Sequence, residues 1–167
     1  VRATMDTKKM LLIMNPISGL KKAPKLLPEI VSLFNRADYD VITYITGAQG
    51  DAARVAARLG GHVDLVVCSG GDGTFNETIT GLLTKGIDVP VGYLPSGTTN
   101  DFASSLKLST NPLRAAQDIL EGKPNVYDVG KFGNRYFSYV ASFGAFTRSS
   151  YATPQTVKNA LGHTAYV

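Results

Sequence analysis

The chain has 167 residues, 44% of them hydrophobic and 18% charged, which suits a packed globular core and argues against disorder. Its formal charge of +4 is small and no basic-aromatic pattern accompanies it, so nucleic-acid binding is not expected. With one cysteine and two histidines, the sequence predicts neither an intrachain disulfide nor a zinc site. No apolar run approaches the length of a membrane span or a signal-peptide core, so we expect a cytoplasmic protein.

Patterns typical of strands and helices alternate over the first two thirds of the chain. The predicted strands are residues 10–14, 40–45, 63–68 and 89–94, and the predicted helices are residues 24–35, 51–59, 74–83 and 111–121. Strands separated by helices of this length form βαβ units. The sequence therefore predicts an α/β fold, a Rossmann-like open sheet of mostly parallel strands with helices on both faces.

The pattern changes at both ends of this region. Residues 1–9 are interpreted as a tag or a frayed N-terminus, which leaves residues 10–123 as the α/β domain. Apolar runs at residues 126–132 and 136–143 flank Gly133-Asn134, as in a β-hairpin, and a helix pattern from Thr153-Pro154 reaches the last residue. We therefore expect residues 124–167 to begin a β-rich second domain, and the chain to be a fragment.

Four basic residues fall in the region of the first predicted helix, at Lys21, Lys22, Lys25 and Arg36. A solvated helix face is the usual role of such residues. Peripheral contact with an anionic membrane leaflet is the alternative.

Each of the four predicted strands is followed by a loop rich in small polar residues. These loops cover residues 15–19, 46–50, 69–74 and 95–101. In an open parallel sheet, ligands bind beyond the carboxyl ends of the strands, where such loops meet. The four loops therefore predict a single nucleotide site at one edge of the sheet.

The loop after the third strand has the most specific pattern, Gly-Gly-Asp-Gly-Thr within VDLVVCSGGDGTFNE. A helix that begins here presents backbone N–H groups to an anionic phosphate. Gly70, Gly71 and Gly73 allow a ligand to approach the main chain closely. Asp72 would repel a bare phosphate, which suggests a magnesium-bound phosphate or a ligand hydroxyl. The alternative is a tight strand-to-helix connection without a ligand.

Two common phosphate loops do not fit this sequence. No stretch supplies the Gly-x4-Gly-Lys-Ser/Thr pattern of the Walker loop. The dinucleotide fingerprint G-x-G-x-x-G would start at Gly71, but its third glycine is replaced by Asn76. Its acidic residue would be Asp88, which lies at the wrong end of the next strand. The site therefore belongs to another class of phosphate loop.

These motifs together resemble the diacylglycerol kinase catalytic-domain superfamily, which includes bacterial lipid kinases and sphingosine kinases. The matching segments are NPISG from Asn15, TGAQGDA from Thr46, GGDGTFNE from Gly70 and PSGTTNDFA from Pro95. Later segments look most like the bacterial soluble diacylglycerol kinases. The glycine motif is shared with NAD kinases and phosphofructokinases, whereas GTTND is more specific to lipid kinases.

The resemblance implies a kinase that transfers the γ-phosphoryl group of ATP to a lipid hydroxyl with the help of Mg2+. Such transfer depends on positioning and on neutralising charge over the phosphates. Asp72 would support catalysis by facing the magnesium-phosphate cluster, and no residue is assigned as a metal ligand. The resemblance places ATP against Asn15, Pro16, Ile17, Ser18, Gly19, Thr46, Gly70, Gly71, Asp72, Gly73, Thr74, Phe75, Asn76 and Thr98.

In the family, a β-rich second domain carries the general base and a structural magnesium, and no residue here matches that base. We therefore expect this chain alone to bind nucleotide weakly and not to turn over. The lipid acceptor is expected to be diacylglycerol or a similar membrane lipid, with peripheral membrane contact; a homodimer is compatible with the sequence. The alternatives are an NAD kinase-like enzyme, against which GTTND counts, and a non-catalytic nucleotide-binding domain.

Overall fold

The computed structural model describes residues 7–19, 22–132 and 135–137. The strands are β1 Lys8–Met14, β2 Tyr39–Ile45, β3 Leu65–Gly70, β4 Val91–Pro95, β5 Gly130–Phe132 and β6 Arg135–Phe137. The helices are α1 Lys22–Lys25, α2 Leu27–Arg36, α3 Asp51–Leu59, α4 Asp72–Thr84, α5 Asp101–Ser105 and α6 Pro112–Glu121, with a 3-10 turn at Gly60–His62.

The first four strands form one parallel sheet in the order β2-β1-β3-β4. Helices cover both of its faces, so the predicted open α/β sheet is confirmed. The chain leaves β1 in one direction toward β2 and later continues from β3 in the other direction toward β4. The position between β1 and β3 is therefore the topological switch point, where ligands of such sheets bind.

The core is built around β1, in which every residue from Met10 to Met14 is fully buried. Because side chains alternate along a strand, Met10, Leu12 and Met14 pack toward α2 and α6. Leu11 and Ile13 pack on the other face, toward α3 and α4. An apolar run without alternation is typical of a strand buried on both faces.

Several predicted boundaries are wrong. The first strand begins at Lys8 rather than at residue 10, and the fourth begins at Val91 rather than at residue 89. The third strand begins at Leu65 and ends at Gly70, and α4 begins directly at Asp72, so the glycine turn is shorter than expected. The first predicted helix is two helices that meet at Leu26, with Pro28 in the first turn of α2. Proline fits a first helical turn because it has no N–H to donate, but it disfavours a continuous helix.

After α6, β5 and β6 form an antiparallel pair beside α4, as the predicted hairpin requires. The predicted extension to residue 143 and the helix from Thr153-Pro154 lie outside the described residues, so the domain boundary near residue 124 stays a prediction. Asn111 accepts hydrogen bonds from the N–H groups of Leu113 and Arg114 and therefore caps α6. In the described part of the chain, no helix has the length and apolarity needed to cross a membrane.

Candidate functional site

The four predicted loops lie along one edge of the sheet. The register aligns Met14 with Ile45 and Ser69, and aligns Gly70 with Pro95, so the four strands end together. The loops therefore follow in the spatial order 46–50, 15–19, 71 and 96–100, with α4 beginning at the third. The predicted convergence at the carboxyl edge is present in the fold.

Asn15 joins the loop after β1 to the start of α4. Its side-chain Nδ2 donates to Oγ1 of Thr74 at 3.1 Å, and its backbone N–H donates to the carbonyl of Ser69 at 2.8 Å. Its Oδ1 accepts the N–H of Ile17 at 3.1 Å, which closes the turn that Pro16 opens. Asn15 therefore fixes the loop internally and also against the glycine turn.

Ser96 contacts the neighbouring loops through three different atoms. Its hydroxyl lies 2.9 Å from the hydroxyl of Ser18, which is 2% exposed. Its backbone N–H donates to the carbonyl of Gly70 at 2.9 Å. Its carbonyl lies against Gly19, which has a φ of +51° and where a Cβ would stand 2.2 Å from that oxygen. Glycine is required at position 19 by both its conformation and this close approach.

Asp72 joins α4 to α5. Its two carboxylate oxygens accept the N–H groups of Asp101 at 2.9 Å and Phe102 at 3.2 Å. Asn100 occupies the N-cap position of α5, but its side chain does not cap the helix. Its side chain instead bonds both the N–H and the carbonyl of Gly97. Asp72 thus caps a helix that begins 29 residues away.

The glycines of this edge differ in what surrounds them. A Cβ on Gly70 would meet the side chain of Thr74 at 2.6 Å, and one on Gly71 would lie 3.2 Å from the Cα of Gly97. A Cβ on Gly73 would meet nothing within 4 Å, and Gly73 has no positive φ. Packing therefore explains Gly70 and Gly71 but not Gly73, which is exposed in the first turn of α4.

The loop after β2 is tied mainly to its own helix. The half-buried Thr46 donates its N–H to the carbonyl of Met14 at 2.9 Å, which is its link to β1. Asp51 Oδ2 accepts the N–H groups of Gly47 and Ala48 at 2.8 and 3.0 Å, and its Oδ1 pairs with Arg54 at 2.8 Å. The Arg54 hydrogen bond is the largest cause of a lowered pKa of Asp51, followed by the Gly47 N–H. The hydrogen bond to Asp51 is also the largest cause of a raised pKa of Arg54, followed by the hydrogen bond to the Tyr44 hydroxyl.

Phe75 lies beneath the site rather than at its surface. Its ring is 6% exposed and stacks between Tyr93 and Phe102, with centroid distances of 4.5 and 5.1 Å. The Tyr93 hydroxyl is buried without a hydrogen-bond partner among the described residues. Burial, with Asp72 as the next cause, raises the pKa of Tyr93 well above its usual range. The Phe75 side chain therefore supports the glycine turn from below.

The other predicted binding residues sit at the rim. Ile17 is 54% exposed, Thr98 is exposed in the loop after β4, and Asn76 is half-buried in the first turns of α4. Asn76 and Thr98 each have an interaction partner. Ser96 was not among the predicted binding residues, although Ser-Gly follows a proline in both loops, at 16–19 and 95–97. That repeated pattern is the signal that could have identified it.

The electrostatics of this edge include the amino end of α4, the carboxylate of Asp72, and the ion pair of Asp51 and Arg54 beside the loop after β2. Within residues 7–19, 22–132 and 135–137, no group of three or more His, Cys, Asp or Glu side chains is arranged to hold a metal ion. The N–H of Phe75 donates to the carbonyl of Gly71, so the N–H groups of residues 72–74 precede the helical ladder. These groups form the positive end of α4 and suit an anion.

Three comparisons with known proteins agree. Residues 9–132 match the sequence profile described as the diacylglycerol kinase catalytic domain. A diacylglycerol kinase of Staphylococcus saprophyticus is 38% identical over 160 residues, which are 95% of this chain and 52% of that protein. For a diacylglycerol kinase of Staphylococcus haemolyticus, the identity is 36% over 156 residues, or 93% and 47% of the two chains.

The structural comparison gives the same result. A crystal structure of a diacylglycerol kinase from Bacillus anthracis matches with a TM-score of 0.72 and 33% sequence identity. The match covers 80% of this chain and 46% of that one. The chain therefore spans about half the length of the relatives it matches.

Proposed function

We propose a lipid kinase function, from the premise that this chain belongs to the diacylglycerol kinase catalytic-domain family. In this proposal the carboxyl edge of the sheet holds the phosphates of ATP. The γ-phosphoryl group is transferred to the hydroxyl of a membrane-derived lipid, with diacylglycerol as the acceptor named by the relatives. The product of that transfer is phosphatidic acid.

The observation that carries the proposal is the open space above Gly73. Neither packing nor backbone conformation accounts for a glycine there, whereas close approach of a ligand does. Gly73 stands at the positive end of α4, beside the switch point of the sheet. Both features favour a phosphate at this position.

The surrounding loops suit a triphosphate because hydrogen bonds within the protein hold them together. The contacts of Asn15, Asp72 and Ser96 fix the loops after β1, β3 and β4, here called the inner loops, relative to one another. Preorganised donors lose little free energy to reorganisation when charge develops in the transition state. In the proposal the nucleotide contacts residues 15–19, Thr46, residues 70–76 and Thr98, with the Phe75 ring supporting the turn from below.

Magnesium fits this site as part of the nucleotide complex. Mg2+ is usually held by one or two carboxylates together with substrate phosphates, rather than by an all-protein cage. Each carboxylate oxygen of Asp72 accepts one N–H and retains a further lone pair. Asp72 therefore suits a supporting role beside Mg-ATP, while Mg2+ would supply charge neutralisation over the phosphates.

The general base and the lipid pocket belong to a second domain in this proposal. A base must accept the proton of the lipid hydroxyl during transfer. None of the motifs in the described loops supplies a residue that we assign to that role, and the matched relatives are about twice as long as this chain. We propose that a β-rich domain from about residue 124 onward provides it, at the surface of a membrane.

The test is phosphoryl transfer from labelled ATP by the full-length protein, with diacylglycerol in mixed micelles and NAD present as competing acceptors. We expect Mg2+-dependent label in phosphatidic acid. Label in NADP instead would favour the NAD kinase alternative. Binding of Mg-ATP with transfer to neither acceptor would contradict the lipid kinase proposal and favour a non-catalytic nucleotide-binding domain.

A further inference from the structure

The hydroxyl groups of Ser18 and Ser96 lie 2.9 Å apart, and either can donate to the other. Ser18 Oγ also lies 3.1 Å from the carbonyl of Asn15, to which it can only donate. A serine hydroxyl has one proton, so when Ser18 donates to Asn15 it accepts from Ser96. In that arrangement Ser96 is the first donor of two hydrogen bonds that share the Ser18 hydroxyl.

These hydrogen bonds cross the site from one loop to the next. Ser96 contacts Ser18, and Ser18 contacts the backbone carbonyl of Asn15. The side chain of Asn15 makes a separate hydrogen bond to Thr74 in the first turn of α4. Ser18 is almost completely buried, so water does not compete effectively for its hydroxyl. The two hydrogen bonds that share this hydroxyl polarise and strengthen each other.

Ser96 also contacts the end of β3 and the loop after β1 through its backbone. Its backbone N–H bonds Gly70, and its carbonyl is in close contact with Gly19. Ser96 thus contacts residues from the loop after β1 and from the end of β3. These residues are 26 to 78 positions away from Ser96 in the sequence.

We propose that Ser96 is a positioning residue for the nucleotide, whose hydroxyl holds the loop after β1 and the loop after β4 at the separation that the phosphates of ATP require. The inference rests on the proposed nucleotide function. It extends that function to Ser96, which is not among the residues that the family resemblance places against ATP. Ser96 acts through Ser18 and Asn15, whose contacts fix the position of the loop after β1.

The experiment is calorimetric titration of the full-length protein with Mg-ATP. Ser96→Ala is expected to weaken binding about fivefold, as expected for a net loss of one hydrogen bond. Ser96→Thr keeps the hydroxyl and should bind within about twofold of wild type. Ser32→Ala is the matched control, because Ser32 accepts a hydrogen bond from Arg36 on the exposed surface of α2.

A double-mutant cycle distinguishes positioning from two independent effects. Ser18→Ala removes the other end of the contact, so the Ser18/Ser96 double variant should bind no more weakly than the weaker single variant. If Ser96→Ala does not fold, as judged by circular dichroism, Ser96→Cys carries the same test, because a thiol of similar size is only a weak hydrogen-bond donor, and Ser96→Thr remains its control.

The proposal is overturned if Ser96→Ala binds Mg-ATP as tightly as wild type, if Ser96→Thr loses as much affinity as Ser96→Ala, or if the two single effects multiply in the double variant. These outcomes would leave the proposed function intact. If the wild-type protein itself does not bind Mg-ATP, the proposed function fails and the role of Ser96 fails with it.

Discussion

The carboxylates of Asp72 and Asp51 have the same local structural role in different parts of the site. Each lies in the first turn of a helix and accepts two backbone N–H groups. Asp51 takes its donors from Gly47 and Ala48, four and three residues away. Asp72 takes its donors from the start of α5, 29 and 30 residues away.

The difference separates the site into an inner and an outer part. The inner part comprises the loops after β1, β3 and β4, which hold one another through long-range contacts of Asn15, Asp72 and Ser96. The outer part is the loop after β2, which keeps its shape mainly through the adjacent α3. Perturbing the inner part should therefore affect the whole site, whereas perturbing the outer part should have a local effect.

The largest difference is expected between alanine substitutions of two left-handed glycines. Gly19 has a φ of +51° with Ser96 in close contact, and Gly50 has a φ of +87° with nothing within 4 Å of a Cβ. Gly50→Ala should cost about 1–2 kcal/mol from conformation alone. Gly19→Ala adds a backbone collision and should cost about 3–4 kcal/mol. Chemical denaturation of both variants measures this, and equal losses would contradict the inner-outer distinction.

An intermediate effect is expected for the two carboxylates themselves. Asp72→Ala leaves two N–H groups of α5 without their cap and should lower the free energy of unfolding by about 1–2 kcal/mol. Asp51→Ala should cost less, because its partners are exposed to water and close in sequence. Asp72→Asn retains one acceptor oxygen and should fall between wild type and Asp72→Ala. A larger loss for Asp51→Ala, measured by urea denaturation, would reverse the expected order.

The smallest effect is a pH dependence from the outer part. The pKa of Asp51 is lowered from its ordinary value of 3.8, so its carboxylate stabilises the folded state above that pH. This contribution should disappear as the pH falls through the lowered pKa, because both states are then protonated. The stability difference between wild type and Asp51→Asn should therefore shrink below about pH 4 and also with added salt. An unchanged difference at pH 2.5 would show that the charge of Asp51 does not contribute.

The sheet edge at which the site lies was predictable, because it follows from patterns of residues that are close together in the sequence. Alternating strands and helices imply parallel strands, and parallel strands bring their following loops to one edge. The glycine turn and the Asn111 cap are likewise encoded within a few residues. For such features, sequence spacing and local chemistry determine the structure.

The contacts that hold the inner part together were not predictable in this way. The cap of α5 comes from Asp72 rather than from the adjacent Asn100, because the left-handed Asn100 uses its side chain to close its own loop. The partner of Ser18 is 78 residues away in the sequence. Packing requires some glycines and leaves Gly73 in open space, and this difference also depends on neighbours that only the fold brings together.

The central claim is that ATP binds over the first turn of α4, and Gly73→Ala tests it most directly. The added methyl group meets no protein atom within 4 Å, and alanine favours a helix over glycine, so stability should be unchanged or slightly raised. Gly61→Ala is the matched control, because its Cβ would make only ordinary contacts near the amino end of β3. In Mg-ATP titrations of the full-length protein, we predict at least about tenfold weaker binding for Gly73→Ala, the loss of about 1.4 kcal/mol, and no change for Gly61→Ala. Wild-type affinity in a folded Gly73→Ala variant would contradict the account.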